Sequence, residues 1–237
     1  MAKDIKIVFF DVGSVLLYRK RHALEAISTN LNFDLDKAKK AHHNSTKHKD
    51  FDKKYKNMRD LDGQHEFSVY AAKLFLDEIG LPHKKDMIDV IEKAWTQQEF
   101  ELMPDAIEIL DYLKNKYRLG VISNGMPSRR HYELVDFELL HYFDPIVLSR
   151  EVGIEKPDNK IFELALEMAS VQASEVAFID DQPSYLKGAY DTGIKNLFQF
   201  IAEVPNRNAI LHTTKKDVER YNKAILITKL NQLKDYL

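Results

Sequence analysis

The sequence contains no cysteine among its 237 residues. That absence excludes disulfide bonds, thiolate catalysis and cysteine-ligated zinc together. It also lacks an excess of either charge: 35 Lys and Arg stand against 37 Asp and Glu, a formal net charge of −2. Such a balance gives no electrostatic reason to expect nucleic acid or a membrane surface as the main partner. The opening Met-Ala-Lys-Asp has no apolar stretch of the secretory kind. No segment approaches the ~20 apolar residues that span a bilayer. The expectation is a cytoplasmic protein, without internal repeats or low-complexity tracts.

What is present suits a folded enzyme-sized domain. Hydrophobic residues make up 44% and charged residues 30% of the chain, enough to build a core in one large domain or in a domain with an insert. Ile5 to Val12 is an apolar run rich in Ile, Val and Phe that ends at Gly13, and it predicts a buried parallel strand. Similar runs recur at Leu119–Ser123, Ile146–Leu148, Val176–Ile179 and Leu197–Phe200. Helical stripes separate them: Ile107, Leu110 and Leu113 within Ala106–Lys116, and Phe162, Ala165 and Leu166 within Ile161–Met168. Strands alternating with helices predict parallel βαβ units. The fold class is therefore α/β, a Rossmann-like parallel sheet flanked by helices.

One stretch breaks the alternation. From about Tyr18 to Phe100 the chain is polar, shows no convincing strand and reads as several helices, among them Ser68–Ile79, stopped by Gly80 and Pro82, and Lys85–Gln97. The expected organisation is an α/β core from residues 1–17 and 100–205, a small all-helical cap from 18–99, and a C-terminal helical extension from 206–237. In that extension Thr214 to Asp217 forms a candidate capping box. Leu226, Leu230, Leu233 and Leu237 then lie on one helical stripe, suited to packing on the core or to a dimer seam. The oligomeric state is left open by the sequence.

In open parallel sheets, ligands bind beyond the carboxyl ends of the strands. There the first strand delivers Asp11, the second Ser123 and Asn124, and a later one the pair Asp180-Asp181; Lys156 lies in the loop after the intervening strand. A single Asp at a strand end is commonly a cap or turn residue. Four suitable residue types at successive strand ends are harder to ascribe to turns.

These residues resemble the haloacid dehalogenase-like hydrolase family. Phe9 to Leu16 looks like its first motif, Val121 to Gly125 its second, Lys156-Pro157 its third and Phe178 to Asp181 its fourth, with Gly188-Ala189 and Gly193 fitting the pattern downstream. The resemblance covers roughly residues 4–17 and 100–200, and the helical insert is similar in position to the cap many members carry. It implies that Asp11 is a nucleophile attacking a phosphoryl group and holding it covalently. It implies Mg²⁺ as cofactor, held by Asp11, the Gly13 carbonyl, Asp181 and, in a supporting place, Asp180. Lys156 would neutralise charge on nucleophile and phosphate, while Ser123, Asn124 and Gly125 would bind phosphate oxygens. The expected partner is a small phosphorylated substrate.

Two positions depart from the family pattern. Gly13 stands where phosphatases of the family typically carry a second Asp that protonates the leaving group, a service worth ~10²–10⁴-fold in rate. The carbonyl of Gly13 remains available to a metal. A substrate with a good leaving group, an acid supplied by the cap (His22 or its lysines), or a weak enzyme would each accommodate the change. Tyr185 stands where an Asn often braces the loop after the acidic pair. Two other functions compete with a phosphatase. A metal-independent 2-haloacid dehalogenase is disfavoured because adjacent carboxylates facing Asp11 repel one another without a cation. A catalytically silent binding or regulatory protein would explain Gly13 and Tyr185. The cap lysines (Lys37, Lys39, Lys40, Lys47, Lys49, Lys53, Lys54 and Lys56), with His42, His43 and His48 among them, read first as a solvated face and second as an attractor of anionic substrate. Arg129 and Arg130 are candidates to touch phosphate or substrate.

Overall fold

The computed structural model describes residues 4–20, 22–58, 60–97, 99–125, 134–202 and 220–237. The candidate capping box at 214–217 and both Arg129 and Arg130 lie outside them. Strands, numbered along the chain, are β1 (Ile7–Phe10), β2 (Leu17–Arg19), β3 (Phe100–Leu102), β4 (Arg118–Ser123), β5 (Ile146–Leu148), β6 (Val176–Asp180), β7 (Asn196–Phe200) and β8 (Ile225–Ile227). Helices are α1 (Ala23–Asn30), α2 (Leu35–Thr46), α3 (Phe51–Asn57), α4 (Leu61–Ile79), α5 (Lys85–Thr96), α6 (Ala106–Lys114), α7 (Ser149–Val152), α8 (Asn159–Ala169) and α9 (Pro183–Asp191). Among the described residues the chain forms two compact units, one running up to Tyr18 and resuming at Phe100, the other comprising Arg19–Glu99.

The first unit is built on a six-stranded sheet in the order β5-β4-β1-β6-β7-β8, every pair parallel. All four residues of β1 are buried, because side chains alternate between two covered faces. Val8 and Phe10 enter one core with Leu119, Val121, Ile109 and Leu113 of α6. Ile7 and Phe9 enter the other with Phe178, and with Ile161 and Phe162 of α8 and Leu186 of α9. The connections leave β1 toward β4 and β5, then return to its other side for β6, β7 and β8. That reversal of direction opens a crevice at the carboxyl ends of the central strands.

Two expectations are corrected here. The stripe of α6 that faces the core is Ala106, Ile109, Leu110 and Leu113, and Ile107 lies at its exposed margin. The C-terminal segment is not a helical extension in its described part. Ile225–Ile227 is the sixth strand, with Leu226 opposite Gln199 of β7, and Leu230–Asp235 is a 3₁₀ turn that buries Leu230 and Leu233. A short β-branched run satisfies its backbone groups on the open edge of β7. The 3₁₀ turn superimposes residues three apart, so its leucines imitate an α-helical stripe.

The second unit is helical. Asp34 and Asp60 cap α2 and α4 through their carboxylates, which accept from Lys37 N at 2.9 Å and Gly63 N at 2.8 Å. Gly80 ends α4 in the left-handed region at φ 70°. Ile27, Ala38, Ala72, Phe75, Leu76 and Ile91 form its core, with Phe75 and Trp95 packed edge to face. At the chain's passage into and out of these helices β2 pairs with β3, strands of three residues each and too short to be recognised by alternation.

Gly188 marks a close approach between α9 and the loop before α8. A Cβ there would lie 2.5 Å from the Pro157 carbonyl oxygen and 3.0 Å from the Phe162 ring. Gly188→Ala is expected to cost about 1–3 kcal/mol through overpacking, read as a lower urea midpoint. Gly13→Ala, whose Cβ meets nothing within 4 Å, should leave stability within about 0.5 kcal/mol.

Candidate active site

Three adjacent strands, β4, β1 and β6, end side by side. Ser123 is the last residue of β4 and Asp180 the last of β6, while Asp11 follows β1 directly and donates its N–H to the Ile179 carbonyl at 2.9 Å. The chain then turns sharply: the N–H groups of Leu16 and Leu17 converge on the Val12 carbonyl at 2.9 and 3.0 Å, with Ser14 in the left-handed region at φ 65°. This turn holds the Asp11 carboxylate at the strand tip.

Lys156 joins the strands electrostatically. Its side chain is 0% exposed, and Nζ donates to Asp11 Oδ1 at 2.8 Å and to Asp180 Oδ2 at 2.6 Å. Burial would drive the ammonium toward neutrality. The negative charges of Asp11 and Asp180 outweigh that penalty and hold its pKa above the ordinary lysine value. The loop carrying Lys156 is fixed by Asn124, whose Oδ1 accepts from Lys156 N and whose Nδ2 donates to Lys156 O, both at 2.9 Å. The Asn124 side-chain amide therefore serves the Lys156 loop. Gly125 is tied down as well, its carbonyl accepting from Arg150 Nε at 3.2 Å and its N–H reaching Ser149 Oγ at 3.4 Å.

The acidic pair faces Asp11. Asp11, Asp180 and Asp181 each offer an oxygen within 4.8 Å of the others, the one such His, Asp or Glu grouping among the described residues. Burial raises Asp180 to about 7, with the Lys156 charge opposing and that of Asp11 reinforcing the rise. Asp181 is pushed upward by burial and by the charges of Asp180 and Asp11. Gln182 supports both, donating from its backbone N–H to Asp180 Oδ1 at 2.8 Å and from Nε2 to Asp181 Oδ2 at 2.7 Å. Three carboxylates against one ammonium leave a formal deficit of two positive charges when all are ionised. Closely spaced hard oxygens with uncompensated negative charge suit a small divalent cation of the Mg²⁺ type.

Gly13, two residues beyond Asp11, contributes no side chain to this cluster. His22 caps α1, with Nδ1 accepting from Leu24 N at 3.2 Å. In the helical unit His48 Nδ1 lies 2.8 Å from the Tyr70 hydroxyl, His42 packs on Trp95, and Lys54 sits 4.9 Å above the Tyr70 ring. Ser149, Arg150 and Gln182 escaped the sequence reading. Their only signal was position, immediately after the strands that carry the motifs.

A family model described as haloacid dehalogenase-like hydrolase matches residues 8–198. The chain is 31% identical over 172 residues to a glyceraldehyde 3-phosphate phosphatase of Methanothermobacter thermautotrophicus, covering 68% of this chain and 70% of that protein. It is 34% identical over 94 residues to the pyrimidine 5'-nucleotidase YjjG of Escherichia coli, a match spanning 39% of this chain and 42% of that protein. A solved dehalogenase shares the fold at a TM-score of 0.68 and 20% identity, with 100% of this chain and 99% of that chain covered. No described helix is long and apolar enough to cross a membrane.

The raised Asp180 gives a pH signature. Between the ordinary carboxylate value and about 7 the folded protein holds a proton that the unfolded chain has released. That contribution to stability is lost as pH rises through this window. A cation that needs the ionised form therefore binds better at higher pH. Mg²⁺ is expected to raise the melting temperature more at pH 8 than at pH 5.5, and Asp181→Asn to remove most of the difference. Thermal melts at both pH values, with and without Mg²⁺, provide the check.

Proposed function

The chain belongs to the haloacid dehalogenase-like hydrolase family, and on that premise we propose that it is a cytoplasmic, Mg²⁺-dependent phosphatase of a small phosphorylated metabolite. The observation that carries this reading is the buried Lys156 contacting both Asp11 and Asp180, with Asp181 beside them. Similarity to a glyceraldehyde 3-phosphate phosphatase supports the same chemistry.

In this reading a carboxylate oxygen of Asp11 attacks phosphorus and the bond to the leaving oxygen breaks, that oxygen keeping the electron pair. The resulting acyl phosphate on Asp11 is then hydrolysed by water, splitting one difficult displacement into two. Lys156 keeps the Asp11 carboxylate oriented and offsets charge that accumulates in transfer. Ser123 and the backbone N–H groups beyond it are assigned to phosphate oxygens. Asp11, Asp181, the Gly13 carbonyl and, through its support, Asp180 would hold Mg²⁺, whose charge allows a phosphate dianion to approach a carboxylate nucleophile. We assign the helical unit of residues 19–99 the role of a cap that selects the substrate.

The dehalogenase alternative places two more carboxylates beside a nucleophile that attacks neutral carbon, with no gain from either. Gly13 favours a second reading, a weak or silent family member, because no side-chain acid stands there.

In a Mg²⁺-supplemented panel of phosphorylated sugars, nucleotides and small acids, phosphate release is expected from wild type and should fall at least about 10³-fold in Asp11→Asn. Equal inertness of both across the panel would sink the phosphatase. The open space at Gly13 makes a second test direct. Gly13→Asp should speed alkyl phosphates by about 10-fold or more, since a poor leaving group needs a proton, and should change aryl phosphates little. A flat response would place the acid elsewhere.

A further inference from the structure

Tyr185 occupies a position that the reaction scheme above does not use. It lies in the first turn of α9, two residues after Pro183, with its N–H on the Gln182 carbonyl at 3.1 Å. The same Gln182 binds Asp180 and Asp181. Tyr185 is thus fixed in place by the turn that presents the acidic pair. Its ring lies 4.8 Å from Lys156 Nζ, and its hydroxyl accepts from Asn124 Nδ2 at 3.4 Å. Asn124 is the residue that brackets the Lys156 backbone.

An ammonium has three N–H groups and a positive surface on every side. For Lys156, two N–H groups point to Asp11 and Asp180. The surroundings also include the Phe178 ring at 5.5 Å and the Tyr185 ring at 4.8 Å. Phe178 is part of the sheet and fully buried. Tyr185 comes from the helix and is partly exposed. Aromatic faces attract cations most strongly where both are desolvated. The hydroxyl contact, at 3.4 Å, lies near the limit for a hydrogen bond and adds less.

We propose that Tyr185 is a positioning residue: its ring shields the Lys156 ammonium from water and keeps it on Asp11 and Asp180. The same helix, at Gly188, admits the carbonyl of Pro157, the residue after Lys156. The catalytic meaning of this shielding rests on the phosphatase reading, whereas the shielding itself does not.

The test compares wild type, Tyr185→Phe, Tyr185→Leu and Tyr185→Met. Each metal-free protein is treated with a water-soluble amine-acylating reagent, and modified lysines are quantified by peptide mass spectrometry. Lys85, whose side chain is 89% exposed, is the internal standard. Lys156 in Tyr185→Leu and Tyr185→Met is expected to react at least 10-fold faster than in wild type while Lys85 is unchanged. Tyr185→Phe should return protection to within about 3-fold. With a phosphate monoester that wild type turns over, the two aliphatic variants should lose about 10-fold in kcat with KM within 2-fold, and Tyr185→Phe should recover most of it. Unchanged labelling in both aliphatic variants overturns the proposal. So does Tyr185→Phe opening Lys156 as far as they do, because the hydroxyl would then be responsible. Selective labelling beside a wild type that releases no phosphate sustains the shielding and refutes the phosphatase alone.

Discussion

A lysine ammonium with no solvent exposure, bonded to carboxylates from two neighbouring strands, is the interaction around which this site is organised. Burying that charge alone would be costly, and burying two or three carboxylates together without it would be worse. Each makes the other tolerable only while distances stay near 2.6–2.8 Å. The surroundings therefore have to be stiff. Asn124 clamps the Lys156 backbone, Gln182 clamps the acidic pair, and the turn around Val12 fixes Asp11.

These supports come from different parts of the chain, yet all sit at one end of the sheet. The reversal of strand order at β1 brings β4 and β6 to its two sides. Side chains that a linear sequence keeps more than a hundred residues apart thereby become immediate neighbours. Ser149 and Arg150, which follow β5, extend the support by one strand, fixing Gly125. The residues that contact the site are rigid because the residues behind them are hydrogen-bonded.

Asp11, Ser123, Lys156 and the Asp180-Asp181 pair were legible because strand ends in a parallel sheet are where polar residues of this kind collect. The partner of each was not. Nothing in the order of residues shows that Lys156 bonds to Asp180 as well as Asp11, or that the Asn124 side chain brackets the lysine loop. Pairings of that sort depend on register and loop path, which are set by packing. Helices α4, α5, α6 and α8 and five of the six strands of the main sheet followed from apolar patterning. The sixth strand did not: Ile-Leu-Ile followed by leucines three apart satisfies a helical period as well as it does a strand and a 3₁₀ turn. The pairing of β2 with β3 was missed for want of length.

The central place of β1 has a consequence for the birth of the protein. Its four residues are synthesised well before their partners: Ile7 pairs with Arg118 on one side and Val176 on the other. About 170 residues must leave the ribosome before both flanks are covered, which at ~5–20 residues per second takes roughly 10–30 seconds. The helices of residues 19–99 can form locally in that interval. The strand that will carry Asp11 cannot, and remains a sticky apolar segment awaiting partners.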